Sequence, residues 1–352
     1  MNPKITVLMP AYNAGKYIGE SIQSVIDQTY ADWELLIVND GSTDNTVEVV
    51  EGYDDPRIRL LSNPNNLRLI KTLNRGLEEA KGELIARLDA DDRASPNRLK
   101  LQVEAFEQNE RLVLLGGRSH VIDEDGNLKK DGAAEYQPES PVAVRWACVF
   151  FNPFRHSAMM FKRSIVWDEF GGYPEDARDL EDYALWVTIV SSYDAANLSE
   201  VLCDYRVHSE SILANARAKN TVMQDPRRSC AEPYFRRSAV AEGVPELLAN
   251  EWGRLWPCVR FKQVGDSQEV DRIFKALTAV MAYQPSDPDD IYGVRAVSAA
   301  AIYDFHRIVR RQGSSLLRFC VWWRGLRLCG WSFIRLYAAS IYRRVQLKVK
   351  AM

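Results

Sequence analysis

The four residues Asp89-Ala90-Asp91-Asp92 put three carboxylates at the end of the short apolar run Leu84-Ile85-Ala86-Arg87-Leu88. Like charges this close repel one another unless a cation neutralises them. An oxygen-only cluster of this kind suits Mg²⁺ or Mn²⁺ bridging phosphate oxygens. The apolar run reads as a strand of a buried sheet, so the acids fall at its carboxyl edge, where open α/β sheets bind ligands. An acidic turn leading into a helix near Pro96, capped by Asp92 or Ser95, accounts for the same residues without chemistry. What the other strand ends carry decides between the two.

Two more strand ends are polar. The run Ile5-Thr6-Val7-Leu8-Met9 ends in Pro10-Ala11-Tyr12-Asn13, and Glu34-Leu35-Leu36-Ile37-Val38 ends in Asn39-Asp40-Gly41-Ser42-Thr43-Asp44. Between these runs, Ile18, Ile22, Val25 and Ile26 recur at helical spacing, as do Ile70, Leu73 and Leu77. Further helices are expected at about 43–53 and 96–109, with strands at Ile58-Arg59-Leu60-Leu61 and Val113-Leu114-Leu115-Gly116. The expected fold class is therefore α/β, a mainly parallel sheet flanked by helices on both faces. Such a sheet sets the three polar ends side by side in one crevice. A carboxylate at Asp40 can accept from a nucleobase N–H or a ribose hydroxyl, while the Asp-Gly-Ser turn also suffices as a helix cap. Neither Gly-x-Gly-x-x-Gly nor Gly-x-x-x-x-Gly-Lys-Ser/Thr occurs, so hydride transfer and P-loop hydrolysis lose support. There remains a nucleotide site that holds phosphates through a metal.

The 352 residues carry a net charge of only −3, but the charge is uneven. From Phe305 to Met352 there are 11 Lys and Arg and no Asp or Glu, which leaves −14 on the remainder. A basic tail on an acidic body points to an anionic surface, membrane phospholipid first. Within it, Phe319, Trp322, Leu326, Phe333, Tyr337 and Ile341 recur at helical spacing, as in helices that lie in the membrane plane. Packing on the catalytic domain or a partner protein is the alternative. Six scattered cysteines without a Cys-x-x-Cys pair argue against a zinc site and a disulfide framework. With no secretory leader read at the start and no apolar stretch of about 18 residues, the expected location is cytoplasmic, peripheral on the membrane's cytoplasmic face.

Past about Arg118 the pattern changes. Asp123-Glu124-Asp125-Gly126-Asn127 reads as a hairpin turn, prolines punctuate a less regular stretch, and a helix is expected from about Glu181 to Ser192. Beyond Ser209 the chain reads as helical, broken at Gln284-Pro285-Ser286-Asp287-Pro288.

These motifs, in order, resemble the signatures of family 2 glycosyltransferases with the GT-A fold. The resemblance rests on Pro10-Ala11-Tyr12-Asn13, Val38 to Asp44, Asn74-Arg75-Gly76-Leu77, Ala80-Lys81-Gly82-Glu83 and Ala86 to Asp92. Gly171-Gly172-Tyr173, Glu181-Asp182-Tyr183-Ala184-Leu185-Trp186 and Tyr205-Arg206-Val207-His208 extend it over about residues 4–212. It implies an inverting, metal-dependent hexosyltransferase-type enzyme. Asp40, with Pro10, Ala11 and Tyr12, would contact the base or ribose of a nucleoside-diphosphate sugar. Asp89, with Ala90, would face the ribose or metal, and Asp91 would bind Mn²⁺ or Mg²⁺, with His208 reaching the metal or a phosphate. Asp182 would be the general base, at a helix start whose dipole favours its ionised form. His156 and Glu181 would lie on the acceptor side; Lys71 and Arg87 either add positive charge or are solvated surface residues, the latter favoured for Lys71. The expected domains are a catalytic domain at 1–212, a helical extension at 213–304 and the basic aromatic tail at 305–352. The expected partners are the sugar nucleotide, a glycan or lipid-linked acceptor and an anionic membrane, not nucleic acid. A metal-dependent nucleotidyltransferase and a non-catalytic sugar-nucleotide-binding scaffold remain the alternatives.

Overall fold

The computed structural model describes residues 2–129, 137–209, 227–260, 267–286 and 290–312. The chain divides into two compact units, Met1–Gln137 with Phe154–Asn220, and Pro138–Pro153 with Thr221–Met352. The first unit holds an eight-stranded sheet in the order β3-β2-β1-β4-β7-β6-β8-β5. Its strands are β1 Ile5–Ala11, β2 Trp33–Asn39, β3 Ile58–Ser62, β4 Leu84–Arg87, β5 Arg93–Ala94, β6 Leu112–Ile122, β7 Met160–Lys162 and β8 Asp194–Arg206. Its helices are α1 Ile18–Ile26, α2 Thr46–Glu51, α3 Leu69–Glu79, α4 Arg98–Gln108 and α6 Glu181–Val190; α5 belongs to the second unit.

β1 and β2 are buried along their whole length, which is why they read as unbroken apolar runs. The ladders β3-β2-β1-β4 are parallel, as is β6-β8, whereas β4-β7, β6-β7 and β5-β8 are antiparallel. The sheet is thus mixed beyond β4. β7 and β5 span three and two residues, too short to leave a periodic signal in the sequence.

Two clamps hold this sheet. At its amino edge the buried Glu34 accepts from Thr6 Oγ1 at 2.7 Å, Arg59 Nη1 at 2.8 Å and the Lys81 N–H at 2.8 Å. Burial works to raise its pKa, but these donors outweigh it and hold the carboxyl below its usual range. On the opposite side α4 inserts the buried Arg98. Its guanidinium donates to the carbonyls of Ser157 at 2.7 Å, Arg87 at 2.7 Å and Met159 at 3.0 Å. Gln102 adds bonds to the carbonyls of Leu115 and Ala158, each at 3.0 Å. Burial lowers Arg98 only to about 10, so it stays cationic at neutral pH. These bonds fix the 3₁₀ turn His156–Ala158 against the end of β4.

The second unit collects α5 Pro141–Cys148, α7 Arg227–Ala241, α8 Glu246–Arg260, α9 Ser267–Val280 and α10 Ile291–Gln312. Its core is aromatic. Phe150 meets Trp146, Trp252 and Trp256 edge-on at 4.9, 5.6 and 5.7 Å, and the last two indoles stack at 4.5 Å. Each indole N–H is satisfied inside: Trp146 by Ser298 Oγ, Trp252 by the Val149 carbonyl and Trp256 by the Phe150 carbonyl. The irregular stretch of the sequence thus contributes a helix, capped by Ser140 with Pro141 in its first turn. Among the described residues no helix is long and apolar enough to cross a membrane. The aromatic basic stripe from Phe319 onward, and the loop at 287–289, lie outside the described residues.

Gly82 sits where any side chain would strike backbone, since a Cβ there collides with the Thr6 nitrogen and the Ile5 carbonyl carbon. Replacing Gly82 with Ala is expected to destabilise the fold by about 1–3 kcal/mol, read as a lowered urea midpoint with unchanged slope.

Candidate active site at the carboxyl edge of the sheet

β2, β1 and β4 are neighbours, with Ala11 beside Asn39 and Leu8 beside Arg87, so their polar ends do share one edge. The turn after β2 organises that edge. Ser42 Oγ accepts from the Asn13 N–H at 3.0 Å, Thr46 Oγ1 from Ala14 at 2.8 Å and Asp44 Oδ2 from Gly15 at 2.9 Å. Asn13 Oδ1 returns a bond from the Thr43 N–H at 2.8 Å. These side chains therefore pin the β1–α1 loop; the cap position of α2 is Asn45, which makes no side-chain cap bond.

Asp40 is 4% exposed and spends both oxygens on the β3–α3 loop. Oδ1 accepts from Asn63 Nδ2 at 2.7 Å and the Leu67 N–H at 2.8 Å, and Oδ2 accepts from the Arg68 N–H at 2.9 Å. The loop needs the restraint, because Arg68 has φ +72°. It also passes so close to Gly41, itself at φ +72°, that a Cβ would meet the Asn65 carbonyl carbon at 2.8 Å. Pro10 and Ala11 are buried in β1, the Ala11 carbonyl accepts the Asp40 N–H, and Tyr12 stands 50% exposed beyond them.

Around β4 the carboxylates are handled one by one. Asp89 Oδ1 pairs with the buried Arg87 at 2.5 Å, and Oδ2 accepts from Ser157 Oγ at 2.9 Å. Burial would raise Asp89, but the Arg87 charge and bond hold it below the usual carboxylate range. Asp91 Oδ2 lies 2.9 Å from His208 Nε2. Asp92 is fully buried: Oδ1 accepts the Arg206 N–H at 2.7 Å, while Oδ2 has no hydrogen-bond partner. Burial first, then the Asp91 and Asp89 charges, push Asp92 well above its usual range. One oxygen from each of the three acids fits within 4.8 Å of the others. Hard oxygen donors at this spacing, one of them an orphaned buried oxygen, fit a divalent cation. Ala90 is buried, its carbonyl taking the Ser21 hydroxyl at 2.8 Å.

Arg206 braces this cluster. Its buried guanidinium donates to the Asp91 carbonyl at 2.8 Å, the Glu124 carbonyl at 3.0 Å and Glu20 at 2.7 Å, and lies 4.7 Å over the Tyr17 ring. The motif Tyr205-Arg206-Val207-His208 assigns Arg206 no role; an arginine between Tyr205 and Val207, next to His208, is the available signal.

The third wall carries the remaining candidates. His156 Nε2 meets Tyr173 Oη at 2.8 Å, and both rings pack on Trp186, at 6.0 and 6.2 Å. Tyr173 is placed by Asn74, whose side chain makes two bonds to its backbone, at 2.7 and 2.8 Å. Gly171 and Gly172, at φ +74° and +82°, make the preceding turn. Burial raises the Tyr173 phenol; the Arg87 charge opposes it, and Asp182, Glu181 and Asp89 add to it. Burial and then Arg87 hold His156 neutral. Asp182 lies in the first turn of α6 and its Oδ1 accepts the Tyr183 N–H at 2.6 Å. Glu181, 9% exposed, is pushed up to about 8 by burial and then by Asp182. The structure therefore brings Asp89, Asp91 and His208 together with Asp92 and pairs His156 with Tyr173, while Glu181 and Asp182 open α6. Lys71 is exposed on α3, whereas Arg87 is buried against Asp89.

A model of glycosyl transferase family 2 matches residues 6–170. An Escherichia coli relative is 30% identical over 215 residues, 60% of this chain and 80% of its own. The chain belongs to glycosyltransferase family 2. That relative is the UDP-Glc:alpha-D-GlcNAc-diphosphoundecaprenol beta-1,3-glucosyltransferase WfgD. The fold matches S. aureus TarS 1–349, solved with UDP-GlcNAc, at TM-score 0.55 and 16% identity, covering 96% of this chain and 92% of that one. It also matches the mannosyltransferase PcManGT from Pyrobaculum calidifontis, solved with GDP-Man and Mn²⁺, at TM-score 0.51 and 19% identity, covering 88% and 87%. The expected GT-A architecture is thus present, and the protein is a glycosyltransferase.

Glu181 binds its proton up to about pH 8 when folded but releases it near 4.3 when unfolded. Between those values the folded state holds more protons, so stability falls as pH rises. Urea midpoints at pH 5 and pH 8 are expected to differ less in Glu181→Gln than in the wild type.

Proposed function

We propose that this family 2 enzyme is an inverting glycosyltransferase that moves a sugar from a nucleoside diphosphate, UDP favoured, to a hydroxyl of a glycan or lipid-linked acceptor. The setting is assembly of cell-surface polysaccharide. The observation that carries the reading is the cluster of Asp89, Asp91 and Asp92, with His208 on Asp91, at the carboxyl edge of the sheet. TarS with UDP-GlcNAc, PcManGT with Mn²⁺ and the lipid-diphosphate acceptor in the name of WfgD support it.

Asp89, Asp91 and Asp92, with His208 beside them, would hold Mn²⁺ or Mg²⁺. Bound there, such a cation would supply Lewis-acid neutralisation of the charge on the departing diphosphate. At the ends of β1 and β2, Tyr12 offers a half-exposed ring, and Pro10, Ala11 and Ala90 fix the backbone around the nucleotide. Asp40 sets the 63–68 loop that walls the same pocket.

Asp182 takes the proton of the acceptor hydroxyl as its oxygen bonds to the anomeric carbon and the carbon–phosphate-oxygen bond breaks on the opposite face. A single displacement with a single base inverts the configuration. Glu181, protonated at neutral pH, can donate a hydrogen bond on the acceptor side without competing as a base. Neutral His156 orients Tyr173 there. The basic residues of 305–352 are proposed to hold the enzyme on the cytoplasmic face of an anionic membrane, at about 1 kcal/mol each.

An Asp182→Asn variant is expected to lose about 10²–10⁴-fold in kcat with donor affinity retained, measured by release of the nucleoside diphosphate. Full activity in this variant would remove Asp182 from the base role.

A further inference from the structure

The 3₁₀ turn His156–Ala158 belongs to none of the sequence motifs, yet it touches both halves of the site. Ser157 is 1% exposed. Its Oγ donates to Asp89 Oδ2 at 2.9 Å and accepts the Asp89 N–H at 2.9 Å and Arg87 Nη1 at 3.2 Å. One hydroxyl thus bonds both the backbone and the carboxylate of the same acid, while Arg87 takes the other oxygen. A carboxylate between an Arg fork and a serine cannot rotate without breaking one of these bonds. The backbone that carries this hydroxyl is held in turn, because Arg98 donates to the Ser157 carbonyl at 2.7 Å. The adjacent His156 reaches Tyr173 from the same turn.

We propose that Ser157 is a positioning residue for the donor half of the site: it fixes the Asp89 carboxylate in the orientation that a divalent cation and its nucleoside diphosphate require. This rests on the reading of the acid cluster as the metal–nucleotide site. Ser157 touches neither substrate nor metal; it acts through Asp89. Outer partners that orient a ligating carboxylate are typically worth about 10–100-fold in metal affinity. Because the bonded oxygen belongs to Asp89, the effect of Ser157 depends on that carboxylate being present.

The test is a double-mutant cycle on binding. Mn²⁺ affinity in the presence of UDP is measured by electron paramagnetic resonance for wild type, Ser157→Ala, Asp89→Ala, the double variant and Asp91→Ala, with melting temperatures alongside. Ser157→Ala is expected to weaken Mn²⁺ about 10–100-fold and to raise donor KM more than it lowers kcat. In the Asp89→Ala background the same change is expected to add little. An equal loss in both backgrounds, or no loss with Asp89 present, would overturn the positioning role. Should Ser157→Ala not fold, Ser157→Cys replaces it, with a group of similar shape that donates and accepts weakly. If the wild type itself binds no Mn²⁺, or Asp91→Ala binds it equally well, then the metal-site reading fails, and the proposal with it. If the wild type binds and Asp91→Ala does not, then only the Ser157 cycle decides.

Discussion

The crowding of acid at the end of β4 is the constraint that most of the first unit answers. Asp89, Asp91 and Asp92 stand within 4.8 Å, in a place where burial makes every uncompensated charge expensive. Each is dealt with differently. Arg87 and Ser157 compensate Asp89, His208 meets Asp91, and Asp92 is driven toward its neutral form with one oxygen unpartnered. Two buried arginines supply the frame. Arg98 satisfies three carbonyls around the 156–159 turn, and leaving those unpaired would cost about 1–3 kcal/mol apiece. Arg206 ties the acid loop to α1 and the 123–127 turn. In the reading proposed above, a divalent cation would complete this arrangement.

The same economy governs the loops. The Asn39 to Thr46 stretch reads as a cap, but its side chains instead hold the two neighbouring loops: Ser42, Asp44 and Thr46 the β1–α1 loop, Asp40 the β3–α3 loop. Backbone in unusual conformations, at Asn13 and Arg68, is affordable only because these bonds over-determine it. The loops that border this sheet edge are therefore held by the protein's own side chains.

Much of this was legible in the sequence where a local signal existed. The parallel strands β1 to β4 announced themselves as apolar runs, and their polar ends fell at one edge because those strands are neighbours. The second half of the sheet was not legible: β5 and β7 are too short to show a period, and their pairing is a long-range choice. α5 was hidden by flanking prolines and by a core whose other side chains come from more than 100 residues away. Among site residues, charged groups in ordered motifs could be read, whereas Ser157, Arg98 and the placement of Asn74 depend on contacts across 59 to 99 residues. A serine or an asparagine carries no signal of that kind.

The proposed role of the acid cluster is to hold a metal-bridged sugar nucleotide. Calorimetric titration of UDP, GDP, dTDP and CDP, each with and without Mn²⁺, into wild type and Asp91→Ala tests it most directly. Mn²⁺-dependent binding of one nucleotide, UDP, that disappears in Asp91→Ala is the expected result. Binding of no nucleotide by the folded wild type, or equal binding by the variant, would contradict it.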